Sequence, residues 1–106
     1  MQEAHMLIVA GTITVDAASI EKMRPAVDTM ITETMKEEGC IDYNFAESIA
    51  HPGVIRVFEK WRSQGDLDDH FKTPHMAAFQ GAMGQANVSG MDIKIYDIEK
   101  EREMGG

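Results

Sequence analysis

Glu59, Trp61, His70 and His75 bring a carboxylate, an indole and two imidazoles within seventeen residues of chain. Imidazole is the side chain best matched to proton transfer near neutral pH. A carboxyl group held in apolar surroundings is pushed up toward the same range. An indole offers a flat wall for a planar ligand. Each residue also has a plain structural reading: an ion pair for Glu59, a core plug for Trp61, satisfied packing for His70. His70 falls between Leu67 and Phe71 on an inward helical face, which makes it the first choice for the acid–base residue. His75 sits at the second position of a helix, where the positive helix end favours neutral imidazole, suited to orienting or deprotonating a ligand. His51 precedes a turn proline and reads as surface, and His5 gives no signal.

The elements that must position these groups follow from periodicity. Residues 6–15 read as a strand with apolar residues on both faces: Leu7, Val9, Ile13 and Val15 on one, Met6, Ile8 and Ala10 on the other. Residues 18–38 read as a helix, with Ile20, Met23, Val27, Met30, Ile31 and Thr34 at three-four spacing. Asp16 or Ser19 could cap its start, Pro25 predicts a kink or a separate first turn, and Gly39 suits a left-handed helix end. Residues 40–47 and 54–61 read as a hairpin across the His51-Pro52-Gly53 turn. Alternation puts Ile41, Tyr43, Phe45 and Glu47 on one face of the first arm, and Ile55, Val57, Glu59 and Trp61 on one face of the second. Ser63 and Asp66 resemble a helix cap ahead of a short turn carrying His70. Thr73-Pro74 starts the next helix, with Met76, Phe79 and Met83 as its apolar stripe. Gly81 and Gly84 weaken that helix, and close packing against a neighbour is one reason to keep them. Residues 91–98 read as the last strand, and residues 99–106 as a charged, frayed tail.

At 106 residues the chain is expected to form a single domain spanning residues 1–106, with its core at about 5–98. Its formal charge of −8 and scattered basic residues exclude a nucleic-acid footprint and an anionic lipid surface. The single cysteine, Cys40, allows no internal disulfide and fits a reducing cytosol. No segment has the length of a membrane span or the flanks of a secretory leader, so the expectation is a cytoplasmic protein. The spacing of His70 and His75, five apart with Pro74 between them, argues against a metal site. Phosphate-loop, dinucleotide-binding and nucleophile-elbow motifs are all missing.

The element order strand, helix, strand, strand, helix, strand predicts an α+β fold, the ferredoxin-like split βαβ unit with helices on one face of a four-stranded antiparallel sheet. Apolar residues on both faces of the first and third strands then call for a cover over the open face. The simplest cover is a second copy, packed sheet to sheet as a homodimer.

Three blocks, Glu37-Glu-Gly-Cys-Ile-Asp-Tyr43, Phe58-Glu-Lys-Trp-Arg-Ser63 and Asp69-His-Phe-Lys-Thr-Pro-His75, resemble the antibiotic biosynthesis monooxygenase domain, which includes small quinol monooxygenases. The resemblance covers about residues 5–98 and implies a dimeric α+β barrel. It also implies oxygenation of phenols, quinols or polyketide anthrones by dioxygen as co-substrate, with no metal, flavin or other cofactor. On this resemblance His70 and His75 would serve proton transfer or anion stabilisation. Trp61 and Phe79 would be aromatic walls, Glu59 a polar anchor, and Tyr43 and Asn44 further polar contacts to a small aromatic substrate. Haem-degrading relatives carry an Asn on the first strand, and residues 6–15 contain none. Two other readings compete: an isomerase of a small keto or phosphorylated metabolite, for which Arg56, Arg62 and Lys72 could supply an anion clamp, and a non-catalytic dimer binding a small apolar ligand.

Overall fold

The computed structural model describes residues 5–105; residues 1–4, part of the stretch read for a leader, and Gly106 of the tail lie outside the described residues. Strand β1 (Leu7–Val15) is central, because it is apolar on both faces. It pairs antiparallel with β3 (Val54–Trp61) on one side and β4 (Val88–Asp97) on the other, while β2 (Cys40–Glu47) pairs with β3. The resulting sheet has the order β2-β3-β1-β4. Helices α1 (Ser19–Thr34), α2 (Gln64–His70) and α3 (Pro74–Gln85) complete the expected α+β arrangement.

Leu7, Val9, Met30, Tyr43, Trp61, Leu67 and Phe79 form one core cluster, and Ile13, Val15, Met23, Ile55 and Val57 a second beside it. Both lie between the sheet and the helices, and burying such side chains is the main stabilising term, about 1.5–3 kcal/mol each. The opposite face carries half-buried Ile8 and Ala10, with Phe58 and Tyr96 exposed beside them. Register makes these one patch: Ala10 faces Phe58, and Ile8 faces Tyr96.

Several boundaries differ from expectation, each for a physical reason. Helix α1 ends at Thr34, not residue 38. The chain then tightens, with Lys36 N–H donating to Glu33 O at 3.2 Å and Glu37 N–H to Thr34 O at 2.9 Å. Pro25 stays inside α1; the carbonyl it deprives, on Glu21, belongs to an exposed residue that water can serve. Neither expected side chain caps α1: its N-cap is Ala18, and Asp16 Oδ1 instead accepts from Ala18 N–H at 3.3 Å. Gly39 is not left-handed; among the described residues only Gly53 is a glycine of positive φ, at 86°. Gly39 is required by close approach instead, since a Cβ there would lie 2.1 Å from Asp66 Cγ. A Cβ on Gly81 or Gly84 would meet nothing within 4 Å, so close packing does not account for either.

A register shift between Cys40 and Asp42 bulges β2, and Ile41, expected to share the face of Tyr43, is exposed. Strand β4 begins at Val88, three residues before the expected start, where it pairs with Val15 across an irregularity in β1. The tail is tied rather than wholly frayed. Ile98 N–H donates to Met6 O at 2.9 Å, and Glu101 pairs with Lys60 on the open face of the sheet. No helix of the described residues is long and apolar enough to cross a membrane.

Candidate functional site

Three local devices aim the polar side chains. In the β2–β3 hairpin, register sets Tyr43 directly opposite Glu59, so both face the helices. Ser63 caps α2 by accepting from Asp66 N–H at 3.2 Å, and the helix turns Leu67 and His70 inward. Thr73 Oγ1 then does two jobs. It accepts from Met76 N–H at 3.2 Å to cap α3, and it donates to His70 O at 2.8 Å. Thr73 therefore clamps the end of α2 to the start of α3, and His75 follows at the second helical position behind Pro74.

The two imidazoles converge on a carboxylate that sequence reasoning assigned no role. Glu37 Oε2 lies 2.7 Å from His70 Nδ1 and 2.8 Å from His75 Nε2. As a carboxylate Glu37 can only accept, so His70 Nδ1–H and His75 Nε2–H are the donors to it. The turn after α1 delivers Glu37 to this position. A signal was available: two adjacent acids near the C-terminal end of a helix sit against an unfavourable dipole, and such placement invites another explanation.

The same three ligand atoms lie within 4.8 Å of one another and could hold a metal ion. The spacing argument against a metal fails here, because His70 ends one helix and His75 begins the next. Magnitudes favour a different reading. Tetrahedral bonds of about 2.0–2.1 Å would hold ligand atoms roughly 3.4 Å apart. The contacts of 2.7 and 2.8 Å to one oxygen are hydrogen-bond lengths, so the cluster as built is a shared acceptor.

Trp61 links this cluster to a second carboxylate. Its ring packs on His70 at a centroid distance of 4.9 Å, and its Nε1–H donates to Glu59 Oε1 at 2.9 Å. Burial pushes the Glu59 carboxyl up to about 7, against the lowering effect of the Trp61 hydrogen bond, and the charge of Glu37 adds to the rise. Burial likewise raises Tyr43 far above the ordinary phenol range, with the Glu59 charge contributing, so Tyr43 remains a protonated donor. Cys40 is pushed up to about 11, chiefly by burial, and is a poor nucleophile at neutral pH.

Beside Glu59 and Tyr43 opens a cavity of about 390 Å³ between the sheet and α2–α3. Val9, Ile13, Phe45, Leu67, Phe79 and Ile93 are among its apolar walls. Among the described residues, Glu59 and Tyr43 are the only ionisable side chains in its lining, and no Lys or Arg is part of it. The expected site residues therefore separate into two layers. Tyr43, Glu59 and Phe79 border the cavity. Trp61, fully buried, and His70, 1 % exposed, stand behind it, with His75 beside them. Trp61 and His70 pack on each other, which leaves no room for a ligand between them. Asn44 points to the opposite side from Tyr43 and borders a separate groove along α1 with Arg24 and Asp28.

Comparison with known proteins agrees with this architecture. A protein of Methanosarcina mazei Go1, described as a conserved protein, superposes with a TM-score of 0.80 at 26% identity, over 88% of this chain and 92% of its own. Uncharacterized protein sll1783 of Synechocystis is 32% identical over 98 residues, covering 92% of this chain and 67% of that protein. The protein named Probable quinol monooxygenase YgiN in Escherichia coli K12 is 32% identical over 74 residues, covering 62% of this chain and 70% of its own length. The family model for antibiotic biosynthesis monooxygenase matches residues 6–82, a stretch that holds all three sequence blocks, Glu37, and the Tyr43–Glu59 pair. The chain belongs to the antibiotic biosynthesis monooxygenase family.

Proposed function

We propose that the protein is a cofactor-independent monooxygenase that oxidises a quinol-like or polyketide-like aromatic with dioxygen. The observation that carries this reading is the apolar cavity of about 390 Å³ with one carboxylate and one phenol in its lining. That volume falls in the range of small-molecule sites, and its walls suit a planar apolar ligand with an acidic hydroxyl. Family membership and the name of the Escherichia coli relative point to the same reaction class. The chemistry balances without an external reductant. A quinol and one dioxygen give a hydroxyquinone and one water; an anthrone gives an anthraquinone and one water. In both, the substrate supplies all four electrons, one oxygen atom enters the product, and the other leaves as water. The protein's share is to bind the aromatic, take its proton, stabilise the anion and exclude bulk water.

The isomerase reading needs a cationic clamp for a phosphate or carboxylate, and the cavity offers none. Arg62 is engaged by Asp66 at 2.8 Å, and Arg56 is exposed on the far face of the sheet. The working unit in this proposal is a cytoplasmic homodimer packed through half-buried Ile8 and exposed Phe58 and Tyr96, an apolar patch that supplies the motive. Sedimentation at micromolar concentration should give twice the 11.8 kDa chain mass, and a monomer would remove that part of the proposal.

The deciding assay is oxygen uptake with a panel of quinols and anthrones in chelator-treated buffer, with product identified by mass. Uptake above the protein-free blank, with one oxygen atom in the product, is the expected result. No uptake with any member of the panel would overturn the reading in favour of a ligand-binding role.

A further inference from the structure

We propose that Glu59 and Tyr43, rather than the two histidines, form the acid–base pair of the cavity: Glu59 takes the ligand's hydroxyl proton and Tyr43 donates a hydrogen bond to the oxyanion left behind. This rests on the monooxygenase reading for the reaction that follows, but not for the proton transfer itself.

Tyr43 and Glu59 are cross-strand partners on the face that borders the cavity. Such partners hold their Cβ atoms about 4.5–5.5 Å apart, within reach of one bound oxygen. Trp61 Nε1–H occupies one oxygen of Glu59, Oε1, at 2.9 Å. Neither Glu59 Oε2 nor Tyr43 Oη has a hydrogen-bond partner among the described residues, and neither is sealed in protein. The only sealed, unpartnered side-chain oxygen or nitrogen among those residues is Thr34 Oγ1. Both free oxygens thus belong to groups lining a space whose other walls are apolar side chains and Gln80. The histidines differ in position: neither His70 nor His75 lines the cavity, one nitrogen of each is held by Glu37, and the His70 ring packs against Trp61 and Tyr43.

The transfer is balanced within the pair. The ligand O–H bond breaks, an O–H bond forms on Glu59, and the electron pair stays on the ligand oxygen, where the Tyr43 hydroxyl meets it. A carboxyl that titrates near 7 is a stronger base than an ordinary one and is still ionised for half the population at that pH. Trp61 is then a positioning residue, holding one carboxylate oxygen so that the other faces the ligand.

Trp61 also supplies the test. It is the single tryptophan of the chain, and it bonds directly to Glu59, so its emission reports on that carboxyl. The titratable groups around Glu59 are Tyr43 and Cys40 on β2, Glu37 from the turn before it, His70 against Trp61, and His75 at the start of α3, bonded to Glu37; β1, β4 and the rest of α3 present only apolar lining residues and Gln80. The probe is 2-naphthol, a neutral hydroxyl donor, with 2-methoxynaphthalene as the control that cannot donate. On the wild-type protein, 2-naphthol affinity should rise at least tenfold from pH 5.5 to pH 8.5, while the ether shows no such rise. Glu59→Gln should keep ether binding and abolish the naphthol rise. That comparison separates Glu59 from His70, which also packs on Trp61. On a quinol that is turned over, Glu59→Gln should lower kcat at least a hundredfold and Tyr43→Phe at least tenfold, within the range of a positioned base. The wild-type kcat/KM should climb through pH 7, and Glu59→Gln should flatten that climb.

Naphthol binding without pH linkage, or no naphthol binding, would overturn the assignment. So would a folded Glu59→Gln protein whose turnover is within threefold of wild type. If no aromatic is oxidised but the naphthol linkage exists and vanishes in Glu59→Gln, the monooxygenase reading fails and the acid–base pair stands.

Discussion

Replacing Glu37 by Ala should destabilise the protein by about 1.5–4 kcal/mol. The magnitude follows from the two hydrogen bonds that Glu37 Oε2 accepts. His70 is 1 % exposed and ends α2, so its Nδ1–H cannot turn to water when the carboxylate is removed. A buried donor left without a partner costs about 1–3 kcal/mol. The His75 side chain is 15% exposed and can recover part of its loss from solvent, which adds roughly 0.5–1 kcal/mol. Glu37→Gln should cost less than half as much, because its amide oxygen can still accept. The assay is equilibrium denaturation at fixed protein concentration, so that any change in association does not enter the comparison. For a chain of this size, about 4 °C of melting temperature per kcal/mol translates the effect into roughly 6–16 °C. An Ala variant within 0.5 kcal/mol of wild type, on the order of a surface substitution, would refute the view that Glu37 is the common acceptor organising both histidines.

Glu59 should make stability fall as pH rises through the neutral range. Its folded-state carboxyl titrates near 7 against an ordinary 4.5, so the native state holds a proton that the unfolded chain has released. That preference is complete below pH 4.5 and is lost between about pH 4.5 and 7, with a total on the order of 3 kcal/mol. Glu59→Gln should abolish that component of the slope, and identical slopes in the two proteins by urea denaturation from pH 4.5 to 8 would contradict it. Thr73→Ala removes the α3 cap and its bond to His70 O, and should cost about 1 kcal/mol or somewhat more. An unchanged melting curve would mean that Thr73 contributes neither.

Legibility divided along the range of the interactions. Strands β2 and β3 were readable to the residue, because β-branched and aromatic runs between Gly39 and the Pro52-Gly53 turn leave few alternatives. The Thr73-Pro74 start of α3 was readable too, since a hydroxyl cap followed by proline is a purely local signal. The ferredoxin-like order and the two apolar faces of β1 followed from periodicity. Chain-distant encounters were not readable. Glu37 lies 33 residues from His70, and no pattern in the chain says that an acid beyond a helix end will meet two imidazoles. The bulge that turned Ile41 outward depends on how β2 pairs with β3, which one strand's alternation cannot reveal.

The division matters most at the site itself. Residue types alone identified an unusual concentration of proton-transfer groups and put Glu59 and Trp61 on one strand face. They could not rank those groups, because rank depends on which atoms remain free after folding. Tertiary packing turned one nitrogen of each imidazole to Glu37, set Trp61 against His70 and left both histidines out of the cavity lining. It left open oxygens on Tyr43 and Glu59 beside the cavity. Sequence carries the inventory of donors and acceptors; only the folded arrangement shows which of them border the cavity and which are engaged elsewhere, since both depend on contacts between residues distant in the chain.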